Sequence, residues 1–122
     1  MTDKRDTTAE NQGHITEVPR EEWPVWCARA TAEHRGRELV LRQADQALGE
    51  VRLAEGQRLV AVEYETFGRS EILTIKYGSG AVPVDCVIAE PRTIRQHRDE
   101  AGDVQQVSIV DAIGRRTLVR LA

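Results

Sequence analysis

R-L-V-A-V-E-Y-E-T-F-G-R-S-E-I-L-T-I-K-Y, residues 58 to 77, is the stretch whose reading decides the fold. Apolar and polar side chains alternate on both sides of a Phe67-Gly68 break, with the period of two that marks a half-buried strand. A tight turn at Phe67-Gly68 sets Thr66 opposite Arg69. Val62 then faces Leu73, and Val60 faces Ile75, on one side of the ribbon. Tyr64 and Tyr77 point to that side, while Glu63, Thr74 and Lys76 take the other. One register satisfies both the turn and the apolar pattern, as a half-buried antiparallel hairpin requires.

The same period continues downstream. Gly78-Ser79-Gly80 breaks the chain, and Val84, Cys86 and Ile88 then alternate with Asp85 as another strand. Pro91 cannot donate to a ladder, so the chain bends or changes strand there. Thr93 to Arg98 continues as strand, and residues 99 to 103 form a turn. Val104 to Val110 and Arg115 to Leu121 make a last hairpin around the loop Ala112-Ile113-Gly114, with glycine in the left-handed position. That loop length sets Val107 opposite Val119 and Ile109 opposite Thr117. It also places Asp111 beside Arg115 as a closing ion pair.

Upstream, Glu38 to Leu41 reads as a first strand. Residues 43 to 57 are polar and Gly-broken, with a short strand over Val51 to Leu53. Before Gly36 the period changes. Pro24 fits only a first helical turn, Glu21 and Glu22 suit its positive end, and Gly36 is a natural residue just past the C-terminus. Trp23, Trp26, Cys27, Ala30 and His34 recur at three-to-four spacing and share a face, with Arg29 and Glu33 on the wet side. Residues 1 to 14 lack apolar periodicity and read as a disordered tail. The expectation is an α+β fold over residues 15 to 122. One N-terminal helix packs on an antiparallel meander of six to seven strands that can curl into a partial barrel. The sheet carries few aromatic residues, so both tryptophans serve as anchors between helix and sheet rather than as a ligand platform.

Three segments together, V-P-R-E-E-W-P at 18 to 24, H-R-G at 34 to 36 and G-R-R-T-L-V-R at 114 to 120, resemble a family of small bacterial proteins of unknown function. The resemblance runs over about residues 15 to 122. It implies the layout of a helix followed by strands, and no activity or cofactor. Where the family pattern carries F-F or F-L, this chain has Trp26-Cys27, so the resemblance assigns Cys27 no role.

The chain has 122 residues, 40% hydrophobic and 30% charged, with a formal net charge of −3. That balance disfavours nucleic acid, whose affinity rests on a basic surface. No apolar run reaches membrane-spanning length and no signal peptide is seen, so the expected compartment is the cytoplasm, with Cys27 and Cys86 reduced. Cys27 and His34 lie about 10 Å apart along a helix and cannot both ligate one tetrahedral zinc. A site built from Cys27, Cys86 and a histidine (His14, His34 or His97) would need the fold to bring them together. A Cys86, His97 and Asp85 set is opposed by strand alternation, which turns Asp85 away from Cys86. Glu63, Glu65 and Glu71 gather at one hairpin end as an acidic rim or a weak cation site. No catalytic residue, cofactor or metal is expected, and the chain reads as no enzyme.

Six arginines (Arg92, Arg95, Arg98, Arg115, Arg116 and Arg120) stand against five acids in the last 33 residues. On the outer face, Arg116, Leu118 and Arg120 lie next to Val110 in a pattern more apolar than a wet face needs. The last strand is also a candidate edge. The expected function is a small interaction module that binds another protein, most of all a second copy of itself, through this surface. The alternative is a small anionic ligand held by the arginines of the last hairpin. Salt-sensitive binding is the expected mark of the ligand reading.

Overall fold

The computed structural model describes residues 14–47 and 49–122. The expected tail lies outside the described residues except for His14, which begins a strand. The elements are β1 (His14–Glu17), a 3-10 turn (Arg20–Glu22), α1 (Trp23–His34), β2 (Glu38–Asp45), β3 (Gly49–Phe67), β4 (Ser70–Gly78), β5 (Val84–Ala89), β6 (Pro91–Arg98), β7 (Val104–Asp111) and β8 (Arg116–Leu121). The strands form one antiparallel sheet in the order β1-β6-β7-β8-β2-β3-β4-β5. Its two end strands do not pair, so the sheet stays open and no barrel closes.

The sheet therefore has eight strands among the described residues, not six or seven. The additional one is β1, four exposed residues paired with β6 from His14↔Arg98 to Glu17↔Arg95. The stretch expected as a broken loop is also strand. β3 runs without interruption for 19 residues. Gly56, at φ +74°, does not end it but forms a bulge, because Val40 pairs Glu55 while Leu39 pairs Gln57.

The first hairpin turns one residue later than its sequence suggests. Phe67 pairs Ser70 across Gly68-Arg69, so Val62 faces Ile75 and Tyr64 faces Leu73. Gly68 takes φ +63°, and a two-residue turn with glycine in its first central position is the favourable arrangement. The shift is two residues, so every side chain near the turn keeps its expected face. A second bulge at Val60 changes that. Leu59 pairs Tyr77 and Ala61 pairs Lys76, which puts Leu59, not Val60, in the core. The last hairpin follows its expected register, with Val107↔Val119, Ile109↔Thr117 and Gly114 at φ +88°. Its closing ion pair does not form. The Asp111 carboxylate accepts from the backbone N–H groups of Ile113 (3.1 Å) and Arg115 (2.9 Å). The Arg115 guanidinium turns to Asp45 at 3.6 Å.

Two meanders, β2 to β5 and β6 to β8, meet where β8 pairs β2. Glu90 alone joins β5 to β6, at φ +52°, and its amide donates to the Glu71 carbonyl at 2.9 Å. The sheet folds over this corner into two layers that share β3. Between them, Val62 and Ile75 line a core void of about 20 Å³ together with Val107, Ile109 and Val119.

Helix α1 closes one open side. Its buried residues are Trp23, Trp26, Cys27, Ala30 and His34, the face expected from their spacing. Trp23 is 1% exposed; its indole N–H donates to the Val18 carbonyl at 3.1 Å and its ring meets Tyr64 edge-on at 5.7 Å. The Trp26 indole donates to Gln96 Oε1 at 3.0 Å. Both are anchors, since each buries its ring and satisfies its single donor. The helix also covers the backbone edge of β3. Thr31 Oγ1 accepts from the Val62 N–H at 2.8 Å and lies 3.1 Å from its carbonyl. The Gly36 N–H and the Arg37 carbonyl then bond Leu59, leading the chain into β2.

Candidate interaction surfaces

The groups able to carry chemistry are dispersed. Cys27 lies under α1, where burial pushes its thiol up to about 12. Cys86 is buried on the inner face of β5, also raised by burial, with the Gln43 amide 3.7 Å from its sulfur. Asp85 points to the other face and meets Lys76 Nζ at 3.3 Å. His97 pairs Gln106 and Ile15 in the opposite layer, with its pKa lowered by burial and then by Arg95. The three members of the drawn catalytic set therefore never meet. A thiol among aliphatics stays protonated and is a poor nucleophile.

His34 is buried, and its Nδ1 lies 3.0 Å from the Arg37 guanidinium. A guanidinium only donates, so the ring there is neutral, with its proton on Nε2. The acidic rim also divides. Glu63 and Glu65 stay on the outer face of β3, whereas Glu71 points inward to Tyr64 Oη and Arg20. Among the described residues, no group of three or more His, Cys, Asp or Glu side chains is placed to hold a metal ion.

The surface residues singled out in the last hairpin do come together. Across the outer face, Thr93, Val110, Arg116, Ala44 and Glu50 form one row. Arg95, Ser108, Leu118, Arg42 and Arg52 form the next. His97, Gln106, Arg120, Val40 and Glu55 form the third. Leu118 is half-buried at the centre. Arg95, Arg42 and Arg52 are each held to an acid, by Glu17 at 3.4 Å, Glu50 at 3.6 Å and Glu55 at 2.6 Å. Arg116 and Arg120 are exposed and make no ion pair among the described residues.

One premise about this surface is corrected. β8 is no edge, for it lies between β7 and β2 in the middle of the sheet. Val40, Arg42 and Ala44 therefore belong to the same surface. Local pattern could not reveal them, because β2 and β8 lie at nearly opposite ends of the described chain. The true edges are β1 and β5. β5 exposes Val84 (50%) and Val87 (55%), with Val82 and Ile113 nearby.

One cleft of about 220 Å³ opens between β5 and the β7–β8 turn, and another of about 270 Å³ lies along the end of β2 and the start of β3; both include Gln43 and Arg115. Their charged groups are already engaged, Arg115 by Asp45 and Asp111 by its own turn. Among the described residues, no helix is long and apolar enough to cross a membrane.

Residues 14–122 match the family described as Family of unknown function (DUF5335), and the chain belongs to it. No curated protein and no solved structure was found to match the chain.

Proposed function

Membership of that family carries no activity, so on geometry alone we propose a non-enzymatic cytoplasmic module that associates with a second copy of itself through the outer face of β8. One observation carries the reading. Half-buried Leu118 sits mid-sheet between Arg116 and Arg120, two exposed guanidiniums without an ion pair among the described residues. Arginine around an apolar centre is the composition that interfaces favour. The dispersal of Cys86, His97 and Asp85 supports the non-enzymatic part. Two buried free thiols suit a reducing compartment.

The small-anion reading is weaker. Arg116 and Arg120 are four residues apart on one strand, about 13 Å, with Leu118 between them. That spacing suits an extended partner more than a single phosphate or carboxylate. The face also lacks the aromatic side chains that single-stranded nucleic acid stacks on.

Sedimentation velocity of the full chain tests the proposal, run up to about 100 µM, where a micromolar Kd would populate oligomers. The expected result is a mean mass that rises above the 13.7 kDa monomer with concentration, and a return to monomer in Leu118→Asp with unchanged circular dichroism. A wild-type chain that stays monomeric throughout overturns it.

A further inference from the structure

The sheet folds on itself, so the molecule has two outer faces pointing away from each other, and they differ in charge. On the β6-β7-β8-β2-β3 side, six arginines (42, 52, 58, 95, 116 and 120) stand against four glutamates (17, 38, 50 and 55). On the β3-β4-β5 side the rows run Glu65–Ile72–Ala89, Glu63–Thr74–Val87 and Ala61–Lys76–Asp85, with Phe67 opposite Ser70 at the turn. Three acids there meet one lysine. Lys76 lies within reach of both Asp85 (3.3 Å) and Glu63 (3.9 Å), while Glu65 makes no ion pair among the described residues. Each face also has an apolar component. Leu118 and Val110 lie among the arginines, and Phe67 (56% exposed) and Val87 (55% exposed) lie among the acids.

Resting on the reading that the β8 face is a self-association surface, we propose that its occupant is the acidic β3-β4-β5 face of a second copy, docked head to tail. Charge decides the geometry. A two-fold contact of the β8 face with itself, centred on Leu118 with its axis along or across the strand, would set guanidinium against guanidinium at Arg116 and Arg120, and like charges so juxtaposed repel. Docking on the opposite face sets them on an acidic surface, where Glu63 and Glu65 stand about 7 Å apart on β3, with Leu118 and Val110 near Phe67 and Val87. Such a contact joins unlike surfaces, so it does not close on a pair; it continues until a ring forms or extends as a filament. A face of five strands and three alternate residues spans only on the order of 400 Å². That is well below the roughly 800 Å² per partner of a standard stable interface, so the association is weak and reversible.

The test uses two full-length variants with single impaired faces, Arg116→Glu/Arg120→Glu and Glu63→Ser/Glu65→Ser. All four positions are exposed, so circular dichroism and melting temperature should match wild type. Each variant alone is expected to lose at least tenfold in association constant. Mixed in equal amounts, they should form a one-to-one dimer through their two intact faces and grow no further, seen by native mass spectrometry. A mixture that stays monomeric while wild type associates overturns the head-to-tail geometry and leaves self-association standing. A wild-type chain that never associates overturns both.

Discussion

At the scale of the residue, His34 and Arg37 are the most consequential pair. Burial, and then the Arg37 guanidinium, hold the imidazole below its ordinary pKa of about 6.5; Glu33 pulls it upward, and Arg98 adds to the lowering. Arg37 also donates to the Ala122 carbonyl at 2.9 Å, so this contact ties the end of the helix to the end of the chain. A base with a depressed native pKa binds its proton more readily when unfolded. Its contribution to stability is therefore complete above about pH 6.5 and declines as pH falls toward the native value. Urea midpoints from pH 8 to pH 5 should fall for wild type, and His34→Gln should lose part of that slope. The part that remains includes His97, which is shifted the same way. An unchanged slope would remove His34 from the account. The five buried helix positions were legible in the sequence because helical spacing alone selects them. The Asp111 contact was not, because proximity in sequence suggests Arg115 while the backbone N–H groups of a tight turn lie closer to the carboxylate.

At the scale of the element, the junction of α1 with β3 is the most exposed to a single change. Beyond Arg58, β3 is no longer paired with β2, so that side of its backbone needs other partners, and Thr31 Oγ1 accepts from the Val62 N–H. Thr31→Val keeps the shape and removes the hydroxyl, leaving a part-buried N–H without its acceptor. A loss of about 1–3 kcal/mol is expected, measured by chemical denaturation; Thr31→Ser, which keeps the hydroxyl, should recover much of it. Element legibility followed the turns. The β7–β8 register was readable because a three-residue loop with glycine last admits one pairing. The β3–β4 register missed by two residues because Phe67-Gly68 and Gly68-Arg69 both look like turns, and only the second places glycine first. Gly56 misled most, since a bulge and a strand end look alike in sequence. β1 carries no signal of its own and exists as a strand through its pairing with β6.

At the scale of the whole molecule, the two outer faces predict behaviour in salt. Exposed charges are screened beyond about 8 Å at physiological ionic strength. The mean mass at fixed protein concentration should therefore fall as sodium chloride rises from about 20 to 500 mM, across which screening tightens several-fold, so salt sensitivity does not single out the small-ligand reading once the contact joins charged faces. A mass that rises with salt would mark the contact as chiefly apolar. Half of the β8 surface was legible, namely Val110, Arg116, Leu118 and Arg120. The β2 half was not, because nothing local announces a pairing between strands so distant in sequence. The shared strand β3 has a further consequence, for cooperativity. Where two layers own a strand in common, neither can open fully without breaking that strand's pairing on one side, which couples their openings. Amides in Leu39 to Leu41, Leu59 to Val62 and Val107 to Ile109 should then exchange with deuterium through one shared opening, and the bulges at Gly56 and Val60 would be bends rather than hinges.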